Sequence, residues 1–435
     1  MDTRTFNEDL FSFISRTPTP YHAVATLAEE LSRHQFTRLD EGTEWNIETG
    51  RRYVCIRNGS LIAFTIGNKT SLASGFRMIG AHTDSPSLQV KPNRKSSCEP
   101  YLVAGVEKYG GALLNTWFDR ELSLAGRVSY TTSENIHKNG LIDFQNPLLY
   151  IPSLAIHLNK DADESRKLNP QTHLSPVLAQ SVNNQLPKLE AIVRDQLIKE
   201  YPEDSPGRIN GFDLFCYDPN KPCFFGVNNE FIAGPRLDNL LSCFVGLQSL
   251  INAGDHTNAL LICSNHEEIG SRTNSGALGN FLLSILSRLF ATDQEKLISL
   301  HNSFLLSLDN AHAAHPNYQE SGDLDHKVIL NCGPVIKINA GQRYCTTGIT
   351  ASIPRILAAE SGVQCQDFVM RSDMPCGSTI GPLTSSQLGA AAVDMGIATW
   401  GMHSIREVTG SKDPFECCTL SRHFVNRDTL PPFNS

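Results

Sequence analysis

Two adjacent carboxylates, Glu267 and Glu268, follow a short apolar run, Ala259–Cys263. Such a run is typical of a buried strand in a parallel sheet, and Gly270 marks the turn behind it. Neighbouring carboxylates at this position repel each other and resist burial unless a cation holds one of them. Because adjacent side chains point in different directions, one can bind a metal while the other faces a water molecule, as in metal-assisted hydrolysis. A polar, solvated turn is the alternative interpretation.

Other candidate ligands stand in similar places. Directly after apolar runs with a strand pattern come His82, Asp309 and His403, and Asp238 precedes a predicted helix over Asn239–Ile251. In an open α/β sheet the carboxyl ends of the strands meet at one crevice, so we expect these side chains to converge. Imidazole and carboxylate donors suit Zn, Mn or Co, and a carboxylate shared by two ions is the usual two-metal arrangement. Each residue alone also has a structural alternative, such as a helix cap for Asp309.

The spacing of His82 and Asp84 lets the Asp84 carboxylate accept a hydrogen bond from the second ring nitrogen of His82, a common support for a ligating histidine. His266 is a further possible ligand. No histidine follows it four residues later, so the zincin helix motif is absent, and G-x-S-x-G, G-x-G-x-x-G and Walker A motifs are absent too.

Composition limits the class of protein. The net charge of −8 provides no basic surface for nucleic acid, and no apolar run reaches membrane-spanning length. The first residues lack the apolar core of a signal peptide, and the 12 cysteines include no C-x-x-C pair. These features predict a cytoplasmic protein with free thiols.

The pattern of apolar and polar residues divides the chain into two kinds of region. Strand patterns alternate with helix patterns over residues 1–88 and 230–435, which predicts an α/β catalytic domain with a mixed, mostly parallel sheet flanked by helices. Residues 89–229 are rich in short β-like runs, including the apolar run Leu148–His157, and in polar loops, the longest over residues 159–184. We interpret this section as a β-rich domain inserted into the first.

Several stretches resemble the M18 aminopeptidases, the aspartyl aminopeptidase family. They are Ile79–Pro86, Asn115–Arg120, His266–Ser271, Leu308–His312, Gly333–Asn339, Met374–Pro382 and Met402–Glu407. The similarity extends over essentially the whole chain in the same order, and it implies a zinc-exopeptidase-like fold with an inserted dimerisation domain.

The resemblance implies a centre of two divalent ions per subunit, zinc being the usual metal and Mn or Co the alternatives. Matching the motifs assigns His82 and Asp309 to one ion, Glu268 and His403 to the other, and Asp238 to both. It makes Glu267 the general base and Asp84 the residue that orients His82.

The resemblance also implies residues that contact the substrate. His157 of a neighbouring subunit would donate to the oxygen of the scissile carbonyl, the alternative being a buried structural histidine on an apolar strand. Lys337, on the apolar run Val335–Asn339, and Tyr344 would bind an acidic side chain. The alternative places the Lys337 ammonium in solvent at a sheet edge.

The expected activity is removal of N-terminal Asp or Glu from peptides with a free N-terminus, by a homo-oligomer built from dimers and as large as a dodecamer. Neither a nucleic acid nor a membrane is expected as a partner. The alternatives are an aminopeptidase of broader preference, a carboxypeptidase or deacylase on a related scaffold, and a non-catalytic peptide-binding scaffold.

Overall fold

The computed structural model describes residues 2–92, 97–159, 167–183 and 185–433. The chain separates into unit 1, which comprises Met1–Asp84, Pro222–Met402 and Glu407–Ser435, and unit 2, which comprises Ser85–Lys221 and His403–Arg406. The inserted domain predicted at residues 89–229, with its role in dimerisation, stays a prediction.

The helices are α1 (Thr3–Ser15), α2 (Pro20–Arg33), α3 (Pro170–His173), α4 (Leu189–Glu200), α5 (Leu237–Ile251), α6 (Phe281–Ser287), α7 (Asp293–His301), α8 (Gly348–Ser361), α9 (Ile380–Leu388) and α10 (Asp413–Asn426). Unit 1 begins with strands β1 (Thr37–Arg38), β2 (Arg52–Arg57), β3 (Ser60–Thr65) and β4 (Arg77–His82). Unit 2 contains β5 (Ser87–Val90), β6 (Ser97–Cys98), β7 (Tyr101–Val103), β8 (Val106–Tyr109), β9 (Glu121–Thr132), β10 (His137–Asp143), β11 (Leu149–Tyr150), β12 (Val177–Gln180) and β13 (Pro206–Tyr217). Unit 1 resumes with β14 (Cys223–Phe225), β15 (Phe231–Gly234), β16 (Ala259–Ser264), β17 (Phe304–Leu308), β18 (Ala311–His312), β19 (Val335–Ile338), β20 (Gln366–Val369), β21 (Ala391–Gly396), β22 (Ala398–Trp400) and β23 (Glu407–Gly410).

The main sheet of unit 1 has the strand order β1-β2-β3-β16-β4-β17-β21-β19-β20. Its middle strands, β16, β4, β17 and β21, run parallel, while β3 and β19 pair antiparallel to their inner neighbours. Every residue of β4, β16 and β17 is buried, as expected for strands covered on both faces. The predicted α/β class with a mixed, mostly parallel sheet is confirmed.

Helices cover both faces of this sheet because side chains alternate along each strand. Leu261 and Cys263 of β16 pack in the same core as α5, whereas Leu260 and Ile262 pack with α6 on the other face. The sheet therefore separates two apolar cores, and polar side chains are left to gather where the strands end.

Strand β21, inside the main sheet, is among the strands that the sequence patterns did not predict. Asp394 interrupts its apolar run, but the carboxylate is satisfied inside the protein. It accepts hydrogen bonds from Thr379 Oγ1 and from the backbone N–H of Cys345, each at 2.7 Å. A buried carboxylate with such donors is compatible with an interior strand.

Helix α2 begins with Thr19 as its N-cap and Pro20 in its first turn. His22 lies in this turn, and its Nδ1 is 2.8 Å from Thr19 Oγ1. Burial of the ring, together with the charge of Arg236, lowers the pKa of His22 to about 4. The ring is therefore neutral in the folded protein at neutral pH.

We expect His22 to make stability pH-dependent. The pKa of His22 is lower in the folded protein than in the unfolded chain. Its contribution to the free energy of unfolding is therefore fully present above pH 6.5 and is lost as the pH falls toward 4. The loss is on the order of 2 kcal/mol for a partly exposed ring. Urea unfolding at pH 7 and pH 5 should show a smaller pH effect for His22→Gln than for wild type, whereas His34→Gln, at an exposed position, should behave as wild type. An equal pH effect in all three proteins would contradict the assignment.

Unit 2 is built around the antiparallel pair β9 and β13, in a sheet of order β6-β7-β12-β11-β9-β13-β5-β8 with β10 also on β9. The strand predicted over Leu148–His157 is wrong beyond β11, because residues 151–155 lie outside regular structure and Ile156–Leu158 form a 3-10 turn. The loop predicted over residues 159–184 is wrong where α3 and β12 form, and its residues 160–166 and 184 lie outside the described residues.

A smaller sheet in unit 1, of order β14-β15-β23-β22-β18, brings the segment before α5 beside the segment before α10. In the part of the chain that the structure describes, no helix is long and apolar enough to cross a membrane.

Candidate metal centre

Polar side chains of unit 1 gather at the carboxyl ends of the parallel strands. His82 is the last residue of β4, Asp309 directly follows β17, and Glu268 lies in the 3-10 turn behind β16. Ligand atoms of His82, Asp238 and Glu268 all lie within 4.8 Å of one another. The convergence expected from strand-end positions is thus present for these residues.

The His82 imidazole is oriented for binding through one nitrogen. Its Nδ1 donates to the backbone carbonyl oxygen of Asp84 at 3.0 Å. A carbonyl oxygen only accepts, so Nδ1 carries a proton and Nε2 is the nitrogen that could bind a metal in place of its own proton. Nε2 faces Asp238 Oδ1 at 3.5 Å and Asp309 Oδ1 at 3.7 Å.

Asp84 has a further structural role that the sequence did not predict. Its carboxylate oxygens accept hydrogen bonds from the backbone N–H groups of Glu267 at 3.1 Å and Glu268 at 3.2 Å. The distance from Asp84 Oδ1 to His82 Nδ1 is 3.6 Å, so the backbone carbonyl is the closer acceptor for the ring. Asp84 therefore links the end of β4 to the turn that carries both glutamates.

The glutamate turn is held at each end by left-handed backbone. His266 has φ 64° and Gly270 has φ 95°. The His266 ring contacts Thr273 Oγ1 at 2.8 Å through Nδ1 and Asn265 Nδ2 at 3.4 Å through Nε2. Both ring nitrogens thus face partners within the loop, and His266 supports the turn instead of lying with the ligand atoms around His82.

Asp238 lies at the start of α5, where the backbone is not helical (φ −82°, ψ 106°). Its N–H donates to Glu407 Oε2 at 2.8 Å, and Asn239 Nδ2 donates to the carbonyl oxygen of Leu308 at 2.8 Å. These contacts connect the helix start to β23 and to the end of β17. Sequence reasoning assigned no role to Glu407, the last residue of the motif Met402–Glu407, or to Asn239, which follows the candidate ligand Asp238.

Asp309 is fixed by a close approach of two backbones. Its N–H donates to the carbonyl oxygen of Met395 at 2.9 Å. A Cβ added to Gly396 would lie 1.6 Å from the Asp309 carbonyl oxygen, so only glycine fits there. Asp309 Oδ2 lies 3.5 Å from Lys337 Nζ, which places a cation beside this carboxylate.

Lys337 is 3% exposed and lies on β19, which is flanked by β20 and β21. The alternative of an ammonium reaching solvent at a sheet edge is therefore wrong. Nζ donates to the carbonyl oxygen of Asn310 at 2.8 Å and stands 5.3 Å from the ring centre of Tyr344. Burial raises the pKa of the Tyr344 hydroxyl, so the ring is neutral.

The electrostatics of this region favour a cation. Burial, reinforced by the neighbouring carboxylates and opposed by His82, raises the pKa of Glu267 to about 7. Burial and the charge of Asp238 also raise the pKa of Glu268. Burial by itself lowers the pKa of His82, but Asp238, Asp309 and Asp84 together raise it well above its usual value.

These donors fit a bound metal. One imidazole nitrogen and several carboxylate oxygens form a mixed N/O set of the kind that binds Zn. In unit 1 the acidic groups at the strand ends outnumber the cations His82 and Lys337, and buried negative charge of this kind is stable only with a compensating cation.

Two other predicted residues belong to unit 2. His403 has φ 69°, its carbonyl oxygen accepts from Leu113 N–H at 3.0 Å, and a Cβ at Gly111 would lie 2.9 Å from its Nδ1. His157 is exposed in a 3-10 turn, so the alternative of a buried histidine on a strand is wrong. Their roles as metal ligand and as donor to the substrate stay predictions.

Comparisons with known proteins place nearly the whole chain in one family. The sequence model of the family described as Aminopeptidase I zinc metalloprotease (M18) matches residues 13–425. A probable M18 family aminopeptidase 2 of Stutzerimonas stutzeri strain A1501 is 47% identical over 426 residues, covering 98% of this chain and 99% of the relative. The protein of the same name from Pseudomonas aeruginosa strain LESB58 is also 47% identical with the same coverage.

Solved structures show the same fold. A chain in the cryo-EM structure of the Ape4 and Nbr1 complex is 37% identical with a TM-score of 0.93, covering 97% of this chain and 86% of that chain. A chain of the S. cerevisiae mApe1 dodecamer is 29% identical with a TM-score of 0.81, covering 96% of this chain and 95% of that chain.

Proposed function

Because this chain belongs to the M18 family and is a metallo-aminopeptidase, as its motifs predicted, we propose that it removes N-terminal Asp or Glu from peptides with a centre of two divalent ions. The observation that carries the proposal is the gathering of His82, Asp238 and Glu268 beside Glu267. The first three offer ligand atoms, and Glu267 has a pKa near neutrality, which suits a general base. A purely structural metal site has no use for such a group.

The proposed ligands are His82 and Asp309 for one ion, Glu268 and His403 for the other, and Asp238 for both. Zinc is the proposed metal, with Mn and Co as alternatives. Bound divalent ions polarise the scissile carbonyl and acidify water. Hydrogen bonds orient two of the proposed ligands. Nδ1 of His82 donates to the carbonyl oxygen of Asp84, and the backbone N–H of Asp238 donates to Glu407.

Glu267 performs the proton transfers in this proposal. It takes a proton from the attacking water and returns that proton to the nitrogen of the leaving amine. Its backbone N–H donates to Asp84, which fixes the backbone of the turn that carries this carboxylate. His157 of a neighbouring subunit is proposed to donate to the oxygen on which negative charge develops.

Acidic preference is proposed to come from Lys337, with Tyr344 beside it. The ammonium is buried with one carbonyl acceptor and one carboxylate, Asp309, at a longer distance of 3.5 Å. A buried cation next to the proposed metal ligands can attract a carboxylate side chain of the N-terminal residue.

A homo-oligomer is also proposed, built from dimers through unit 2 and as large as the dodecamer of the mApe1 relative. Leu154, Ile156 and Leu158 around His157 are 50–74% exposed, and such neighbouring apolar side chains are typical of surfaces that meet another chain. A cytoplasmic location remains a prediction of the sequence.

Metal removal and return tests the proposal. Protein stripped with a chelator should lose hydrolysis of Asp- and Glu-p-nitroanilide and regain it with Zn, Mn or Co at about two ions per subunit. Leu- and Ala-p-nitroanilide should be cleaved far more slowly. Better cleavage of Leu or Ala would replace the acidic preference by a broader one, and full activity at one ion per subunit would refute the two-metal centre. Activity retained after blocking the substrate α-amino group would indicate a deacylase.

A further inference from the structure

A cavity of unit 1 lies at the amino ends of the parallel strands. Its volume is about 640 Å³, and its wall includes Lys69, Ser71, Arg77, His301, Asn302 and Phe433. Arg77 begins β4 and His82 ends it, so the cavity lies about 17 Å from the candidate metal centre along a strand that rises about 3.3 Å per residue. The cavity therefore has no part in the chemistry proposed above.

Arg77 is the unusual member of this wall. It is 8% exposed, its Nη2 donates to the carbonyl oxygen of Asp428 at 3.3 Å, and its Nε is buried with no hydrogen-bond acceptor. Among the described residues it forms no ion pair with a carboxylate. Burial, aided by the nearby charge of Arg427, lowers the pKa of Arg77, but a guanidinium remains charged at neutral pH. A buried cation so incompletely paired is costly unless an anion accompanies it.

The other charged groups around the cavity leave it positive. Lys69 shares the wall with Arg77, and Asp428 is the acidic residue there. The Asp428 side chain is 86% exposed and lies 3.4 Å from His256, while Arg427 is already paired with Glu360 at 2.9 Å. The Asp428 carboxylate thus contacts His256 and does not pair with Arg77. The guanidinium of Arg77 and the ammonium of Lys69 are the cations that a ligand in the cavity would contact.

We propose that this cavity binds a phosphate group, free or as the phosphomonoester of a sugar-sized molecule. Arg77 supplies the planar donor that phosphate oxygens accept, and Lys69 supplies a second positive charge from the rim. The volume exceeds that of a bare anion and is typical of small-molecule sites. Leu430 and Phe433 provide an apolar wall for an organic part, since both also pack against the main core.

Calorimetric titration of the zinc-loaded protein tests this site with inorganic phosphate and with ribose 5-phosphate. Lys69→Glu should weaken binding by about tenfold or more, because it reverses a charge at the rim, and Arg77→Lys should also weaken it through loss of the planar donor. Lys69 is exposed, so its variant will fold even if the Arg77 variant does not. Lys199→Glu, at an exposed position on α4, is the matched control and should bind as wild type.

Tighter binding of ribose 5-phosphate than of phosphate would identify a phosphomonoester as the ligand, and equal binding would identify free phosphate. Binding that Lys69→Glu leaves unchanged would place the anion elsewhere, for example on the metals, and would overturn the proposal. Absence of binding by either probe at about 10 mM, well above typical metabolite affinities, would also overturn it.

Discussion

Glu267→Gln is expected to lower kcat by about a thousandfold, within the range reported for loss of a general base. Glutamine keeps the size of the side chain but cannot accept the proton of the attacking water. The pKa of Glu267, raised to about 7 by burial and by neighbouring carboxylates, is matched to that proton transfer. The backbone N–H of Glu267 would still bond to Asp84, so the turn should keep its geometry.

Metal content and kcat measured together distinguish loss of the base from loss of the centre. Glu267→Gln should retain its bound metal, whereas Asp238→Asn, at a proposed shared ligand, should lose metal and activity together. Glu44→Gln, at an exposed position, is the matched control and should behave as wild type. If Glu267→Gln kept wild-type kcat with metal bound, Glu267 would not be the base.

Lys337→Met is expected to remove the preference for acidic residues. The value of kcat/KM for Asp- and Glu-p-nitroanilide should fall about a hundredfold, the effect of losing a buried charge-assisted hydrogen bond, and the values for Leu and Ala should change little. Methionine preserves the apolar length of the side chain on β19. Lys412→Met, at an exposed position, serves as the control.

The contact of Lys337 with Asp309 gives this experiment a second possible outcome. Nζ lies 3.5 Å from Asp309 Oδ2, so loss of the ammonium also changes the field at a proposed metal ligand. An equal fall in kcat/KM for acidic and neutral substrates, with less metal bound, would show that Lys337 supports Asp309 and does not select the substrate. The ratio of the two rates, measured at full metal occupancy, therefore decides the role.

Local patterns in the sequence were sufficient for the class of fold and for most candidate ligands. Apolar runs such as Ala259–Cys263 and Phe304–Leu308 predict buried parallel strands, because only strands covered on both faces are apolar at every position. Polar residues just after the end of such a run lie near the carboxyl ends of the parallel strands, where ligands bind, which identified His82, Glu268 and Asp309 as candidates. The family motifs added the expected role of each.

Tertiary structure decided what those side chains contact. The bond from Glu267 N–H to Asp84 joins residues 183 positions apart, and no local period encodes such a pair. In the same way, the hydrogen bond from Thr379 stabilises the Asp394 carboxylate inside a strand. The contact between Lys337 and Asp309 also depends on residues that are distant in the sequence. The sequence does not distinguish Arg77 from other residues at the start of a strand, and only the fold shows that its guanidinium is buried beside a cavity. Sequence periodicity records which face of an element is apolar, whereas the charge that each polar group meets depends on elements brought together only by the fold.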